Sequence, residues 1–126
     1  MVPKDLRYTK EHEWVRVEGD LATVGITDFA ADQLGDVVFV DLPEVGRTVA
    51  QFTAIGVIES VKAVSDLFAP VGGAVVETNA ELLTQPELLN SDPFGRGWML
   101  RIRLDDPAGP DGLLDVSSYE ALTSEA

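Results

Sequence analysis

Apolar residues recur in short runs of five to seven, with breaks between them rich in Gly, Pro, Asn and Asp. An interval of about ten residues between such runs is the rhythm of an all-β barrel or sandwich. The clearest runs are residues 21–26, 37–42, 53–58, 74–78 and 98–104, all dense in the β-branched and aromatic side chains that suit a half-buried pleat. Turn residues fill 18–20, 43–46, 70–73 and 90–97. Helical signals are few and short. Thr27 can cap residues 28–34, Asp28 suits the positive end of the helix dipole, and Gly35 stands where that helix should stop. Residues 80–83 and 86–89 are further short candidates. Near the end, Ser117 and Glu120 have capping-box spacing ahead of Tyr119, Ala121 and Leu122, which predicts a C-terminal helix lying on the sheet.

With 126 residues there is room for one domain, spanning 1–126, and 45% hydrophobic content is enough to give it a core. Its 22 acidic residues against 9 basic ones leave a net charge of −13. Nucleic acid and anionic lipid would be repelled, so neither is expected as a partner. There is no cysteine, which removes disulfides, thiolate metal sites and cysteine nucleophiles. Neither a signal-peptide core nor an apolar run of about 20 residues is present, so a soluble intracellular protein is expected. His12 is the single histidine, and no partner nucleophile is visible to make it a catalytic base. Residues 105–111 lack the ligand alternation of a calcium loop and read as a solvated linker, and no metal site is expected. Trp14 and Trp98 read as residues that fill the core or close its edge.

The charges are unevenly placed. Between Val17 and Gly95 there are thirteen acidic residues and only two basic ones, Arg47 and Lys62, and Lys62 is the only lysine after Lys10. The stretch 55–70 reads as strand, tight turn, strand, with residues 61–63 at the reversal. No Gly, Asn or Pro lies at that turn, which predicts type I geometry. A weak echo frames it: Pro43, Gly46 and Val49 before the lysine share their spacing with Pro70, Gly73 and Val76 after it.

The run Gly56-Val-Ile-Glu59-Ser60-Val61-Lys62-Ala63-Val-Ser-Asp66, flanked by Gly46 and Gly73, resembles the lipoyl-attachment hairpin of the biotinyl/lipoyl carrier family. A biotin carrier would usually place methionines beside the lysine, and Val61 and Ala63 stand there instead. Further segments, in order along nearly the whole chain, are similar to the glycine cleavage H-protein family: residues 8–14 (YTKEHEW), 24–28 (VGITD), 34–46 (LGDVVFVDLPEVG), 89–95 (LNSDPFG) and Gly97-Trp98.

This resemblance implies a mainly β, lipoyl-domain-like barrel-sandwich hybrid with short peripheral helices, one of them C-terminal. It also implies a carrier and not an enzyme. Lipoic acid would be covalently attached to Lys62, with Glu59, Ser60, Val61 and Ala63 around it. The arm would carry an aminomethyl group from a pyridoxal-phosphate glycine decarboxylase to a tetrahydrofolate-dependent aminomethyltransferase, and would be reoxidised by dihydrolipoyl dehydrogenase. A lipoyl ligase or transferase would install it. The loaded arm is expected to fold back into a cleft where Glu13 and Asp66 face its ammonium. The setting would be bacterial cytoplasm, or mitochondrial matrix if a leader was removed. Two alternatives stay open on the residues: a lipoyl carrier or relay for another complex, and an unmodified acidic β-domain that binds proteins.

Overall fold

A computed structural model describes residues 2–124. Two antiparallel sheets carry the chain. Strands β1 (Arg7–Tyr8), β2 (Glu13–Glu18), β3 (Leu21–Ile26), β5 (Thr48–Val49), β8 (Gly73–Thr78) and β9 (Leu100–Leu104) form a six-stranded sheet in the order β1-β2-β3-β9-β8-β5. Strands β4 (Val37–Asp41), β6 (Ala54–Ser60) and β7 (Val64–Phe68) form a three-stranded sheet in the order β4-β6-β7. The buried side chains of both sheets make one core, including Val24, Val40, Ile58, Leu67, Met99 and Ile102. This is the mainly β architecture that the spacing of apolar runs predicts, in the two-sheet form that the resemblance implies.

The echo around the hairpin has a structural meaning. Its two halves pair with each other: Val49 lies opposite Gly73, Gly46 N–H donates to the Val75 carbonyl at 2.7 Å, and Val75 N–H donates to Arg47 at 2.9 Å. The intervening β6–β7 hairpin is thereby folded out from a closed base.

Helix α1 (Asp28–Leu34) has the predicted bounds, with the Thr27 hydroxyl accepting from Ala30 N–H at 3.2 Å and Gly35 ending it at φ +78°. Such a cap contributes about 1 kcal/mol. Helices α2 (Glu81–Thr84) and α3 (Leu88–Ser91) lie one or two residues beyond the predicted bounds. Helix α4 (Val116–Ser124) is present, but Ser117 is not its cap. Asp115 stands two residues earlier and its carboxylate accepts from Ser118 N–H at 2.8 Å, so the capping-box reading is corrected. The expected linker at 105–111 also contains more order than predicted. It runs into a 3-10 turn at Gly109–Gly112 that buries Pro110.

A second, aromatic cluster seats α4. Tyr119 stacks on Tyr8 with ring centroids 4.6 Å apart, beside fully buried Trp14. Trp14 donates its indole N–H to the Pro93 carbonyl at 3.0 Å, and half-buried Trp98 packs against the same cluster.

Candidate functional site

Lys62 sits at the tip of the β6–β7 hairpin and is exposed. No residue of the turn has positive φ, as a type I turn requires, and the Ser60 side chain closes it. Ala63 N–H donates to the Ser60 hydroxyl at 3.0 Å, Lys62 N–H donates to the same oxygen at 3.3 Å, and Ser60 N–H donates to the Ala63 carbonyl at 2.8 Å. A serine hydroxyl thus replaces a backbone carbonyl as acceptor, which lets the chain reverse without glycine. Ser60 is buried and fixes the turn from within, while Val61 and Ala63 flank the lysine in solvent. Glu59 is half-buried between Phe39 and Val64 in the sheet.

The hairpin tip is braced from the side. Val61 N–H donates to the Asp36 carbonyl at 3.0 Å, and the Lys62 stem lies over Gly35 so closely that a Cβ there would stand 3.2 Å from Lys62 Cε. The α1–β4 connection that supplies both contacts is itself held by Asn90. Its carboxamide accepts from Val37 N–H at 2.9 Å and donates to the Gly35 carbonyl at 2.8 Å. The sequence marks Asn90 only as a turn residue, and nothing local reveals that its amide reaches across 53 positions to Val37. Lys62 itself forms no ion pair or side-chain hydrogen bond among the described residues.

Leu34, adjacent to Gly35, lines a cleft of about 260 Å³. Ile26, Ile58 and Leu67 supply apolar wall, and His12, Glu13 and Asp66 supply polar groups. The structure therefore brings the two expected carboxylates to one cleft, but they differ in setting. Asp66 is exposed on the edge strand β7, whereas Glu13 is only 2% exposed. Glu13 Oε1 accepts from the Thr9 hydroxyl at 2.8 Å and Oε2 from Phe68 N–H at 3.0 Å, which ties the two sheets together. Burial pushes its pKa up to about 7, against the opposing pull of the Phe68 N–H and the Thr9 hydroxyl. Each oxygen has a second lone pair for a further donor.

His12 forms the cleft's outer corner at φ +68°. Its Nδ1 lies 2.8 Å from the Tyr119 hydroxyl, which lies 2.7 Å from the Thr27 hydroxyl. The three groups form one hydrogen-bonded chain, in which the Thr27 hydroxyl also accepts from Ala30 N–H at 3.2 Å. Burial holds the imidazole below its ordinary pKa despite Glu11, and burial pushes the Tyr119 phenol up to about 12. His12 is thus a packed residue that shapes the cleft, as its lack of a nucleophilic partner predicts.

The donor set suits an acylated lysine. A free amine on an exposed turn, near a cleft whose lining mixes apolar side chains with the carboxylates of Glu13 and Asp66, matches an aliphatic arm with a cationic end. No group of three or more metal-ligating side chains occurs among the described residues, and no helix among them is long and apolar enough to cross a membrane.

Comparison with known proteins narrows the alternatives. The family model described as glycine cleavage H-protein matches residues 6–126. The chain is 60% identical over 124 residues to the glycine cleavage system H protein of Symbiobacterium thermophilum, covering 98% of this chain and 97% of that one. It is 57% identical over 118 residues to a probable glycine cleavage system H protein of Haloarcula marismortui, covering 94% and 93%. The crystal structure of a glycine cleavage system H protein from Mycobacterium marinum superimposes with a TM-score of 0.90 at 40% identity, covering 98% of this chain and 99% of that one. With the sheet order, the hairpin and nearly full-length matches in agreement, the chain belongs to the glycine cleavage H-protein family.

Proposed function

We propose that Lys62 bears a lipoyl group through an amide at Nζ, and that the chain uses it as the lipoyl-bearing shuttle of the glycine cleavage system that its family membership makes it. The observation that carries the assignment is the state of Lys62: exposed, free of ion pairs among the described residues, and presented by a turn that Ser60 fixes. In the attachment step deprotonated Nζ attacks the carbonyl carbon of an activated acyl donor. A C–N bond forms, the bond to the activating group breaks and one proton leaves. The lysine loses its charge, so its stem can pack on apolar side chains without desolvating an ammonium.

When bound, a lipoyl group supplies a disulfide that can take up a one-carbon amine unit and be returned as a dithiol. The remaining work belongs to this chain's residues. Gly35 leaves room for the lysine stem and adjoins Leu34, which lines the cleft. Ile26, Ile58 and Leu67 limit water inside it. Glu13 and Asp66 offer carboxylate oxygens to a protonated amine brought there, a charge-assisted hydrogen bond. Glu59, Val61 and Ala63 flank the modified lysine. The partners inferred are a pyridoxal-phosphate glycine decarboxylase, a tetrahydrofolate-dependent aminomethyltransferase, dihydrolipoyl dehydrogenase and a lipoyl ligase or transferase. The chain carries and its partners catalyse; a cytoplasmic setting is part of the same reading, supported by the bacterial relatives.

Lys62→Arg tests this. The variant keeps charge and length at an exposed turn and should hold its stability to within about 0.5 kcal/mol. It should take up no lipoyl group and should not support glycine-dependent carbon dioxide exchange. Retained exchange removes Lys62 from the mechanism.

A further inference from the structure

Two walls of the cleft come from different parts of the chain. One is the His12 corner between β1 and β2, and the other is helix α1, through Ala30, Gln33 and Leu34. No residue of α4 lines the cleft, yet one hydroxyl from α4 reaches both walls. The Tyr119 oxygen lies 2.8 Å from His12 Nδ1 and 2.7 Å from the Thr27 hydroxyl. Thr27 is fully buried and caps α1, accepting from Ala30 N–H, and its own N–H donates to the His12 carbonyl at 2.9 Å. The separation of the two walls is thereby set by contacts behind the cleft.

Past this hydroxyl, α4 and α1 stand apart. Both helices line an open gap of about 420 Å³, with Asp28, Phe29 and Asp32 on α1 and Glu120 and Thr123 on α4. Three of those five side chains are carboxylates, so the helices' own charges do not draw them together. The Tyr119 ring is anchored, by contrast. It stacks on Tyr8, and it meets the His12 ring edge-on with centroids 5.7 Å apart. Phe29 packs on the same imidazole at 4.7 Å. The left-handed backbone of His12 is uncommon for a residue with a Cβ, and persists where its surroundings impose it. The bonds to its ring and its carbonyl do so here.

The spacing of these walls bears on what the cleft can protect. Water reaching a protonated aminomethyl group on sulfur breaks its S–C and C–N bonds, giving formaldehyde, ammonium and the free thiol. Cleft width decides whether water enters alongside the arm. We propose that Tyr119 is a positioning residue: its hydroxyl ties the His12 wall to the α1 wall, and so sets how well the cleft keeps water from an aminomethyl-loaded arm. This rests on the reading that the loaded arm occupies the cleft. Burial pushes the phenol up to about 12, so the tie is made by a neutral hydroxyl.

Tyr119→Phe removes the hydroxyl and keeps the stack on Tyr8. Tyr8→Phe is the control: it makes the same change in the same stack, but the Tyr8 hydroxyl donates to the Pro3 carbonyl, and Tyr8 lines no part of the cleft. Both are compared with the wild type at a temperature where melts show all three folded. In the unmodified chain, Tyr119→Phe should speed amide exchange at Thr27 and Ala30 by about fivefold, the effect of one lost hydrogen bond. Tyr8→Phe should leave it unchanged. The lipoylated proteins are then loaded with glycine and its decarboxylase, and formaldehyde is followed without the folate-dependent enzyme. Release from Tyr119→Phe should rise by about the same factor. Transfer to the folate-dependent enzyme, which draws the arm out of the cleft, should not slow, and a slowed transfer contradicts the proposal. Should Tyr119→Phe melt below the assay temperature, exchange in the wild type decides. Loading the arm should slow exchange in α4 as well as in α1, and slowing confined to α1 overturns the proposal. Loaded wild type unfolded in urea gives the unsheltered rate. Release from the folded wild type at that rate overturns the sheltering cleft itself. Slower release from the folded wild type, matched by Tyr119→Phe or exceeded equally by both variants, overturns the role of Tyr119 alone.

Discussion

Glu13→Gln offers a quantitative test of the cleft, because the structure gives this carboxyl two opposite influences with a net sign. Burial raises its pKa from 4.5 to about 7, despite donors at both oxygens. Between those values the folded protein holds a proton that the unfolded chain has lost. Stability contributed by the protonated form is therefore present at pH 4.5 and declines as pH rises toward 7. At 1.36 kcal/mol for each pH decade between the two values, the charged form costs the fold about 3 kcal/mol by pH 8. Glutamine occupies the same volume without ionising. Its carbonyl can accept from Phe68 N–H while its amide donates to the Thr9 oxygen, so neither partner is orphaned. Urea unfolding of both proteins across pH 4.5 to 8 gives the difference curve, in which His12 and the other acids cancel. The variant should gain on the wild type by about 3 kcal/mol over that range, with most of the change between pH 5 and 7. A difference that stays constant across the range refutes the burial argument and gives Glu13 an ordinary pKa.

Ser60→Ala leaves two turn N–H groups without their acceptor, and should cost about 1–2 kcal/mol while slowing lipoylation more than it lowers Lys62 exposure. Tyr119→Phe strips the shared hydroxyl from His12 and Thr27, and should lower stability by about 1–2 kcal/mol in thermal melts. Unchanged melting would show that the hydroxyl chain contributes nothing. Asp66→Asn should release formaldehyde from the aminomethyl-loaded protein faster than wild type when the folate-dependent partner is absent. Equal rates for Asp66→Asn and Glu13→Gln, with lipoylation intact, would show that these carboxylates give no shelter.

Where a feature depends on local chemistry, the sequence shows it. Thr27, Asp28 and Gly35 each act within one helix, and α1 has the predicted ends. Apolar runs bracket Lys62 and show a strand–turn–strand, while the exact place of the reversal comes from the resemblance of residues 56–66 to a lipoyl-attachment hairpin. What escaped the sequence depends on contacts between distant segments. Ser117 and Asp115 are both plausible caps, and docking of Tyr119 against Tyr8 decides in favour of Asp115. Glu13 lies among charged neighbours in the chain, and its burial arises only when β7 brings Phe68 N–H across to it. Asn90 is one of many turn residues until α3 places its amide on the Gly35 loop. Which valines of β4 and β7 face outward is likewise invisible to a period-two pattern, because register and the bulge at Val38 decide which side each takes.

The central claim is that Lys62 carries the arm, and the mass of the Lys62 peptide from the native host tests it most directly. The account predicts an added lipoyl group on Lys62, absent from Lys4 and Lys10. An unmodified Lys62 peptide, recovered from cells whose other lipoyl carriers are modified, would contradict it.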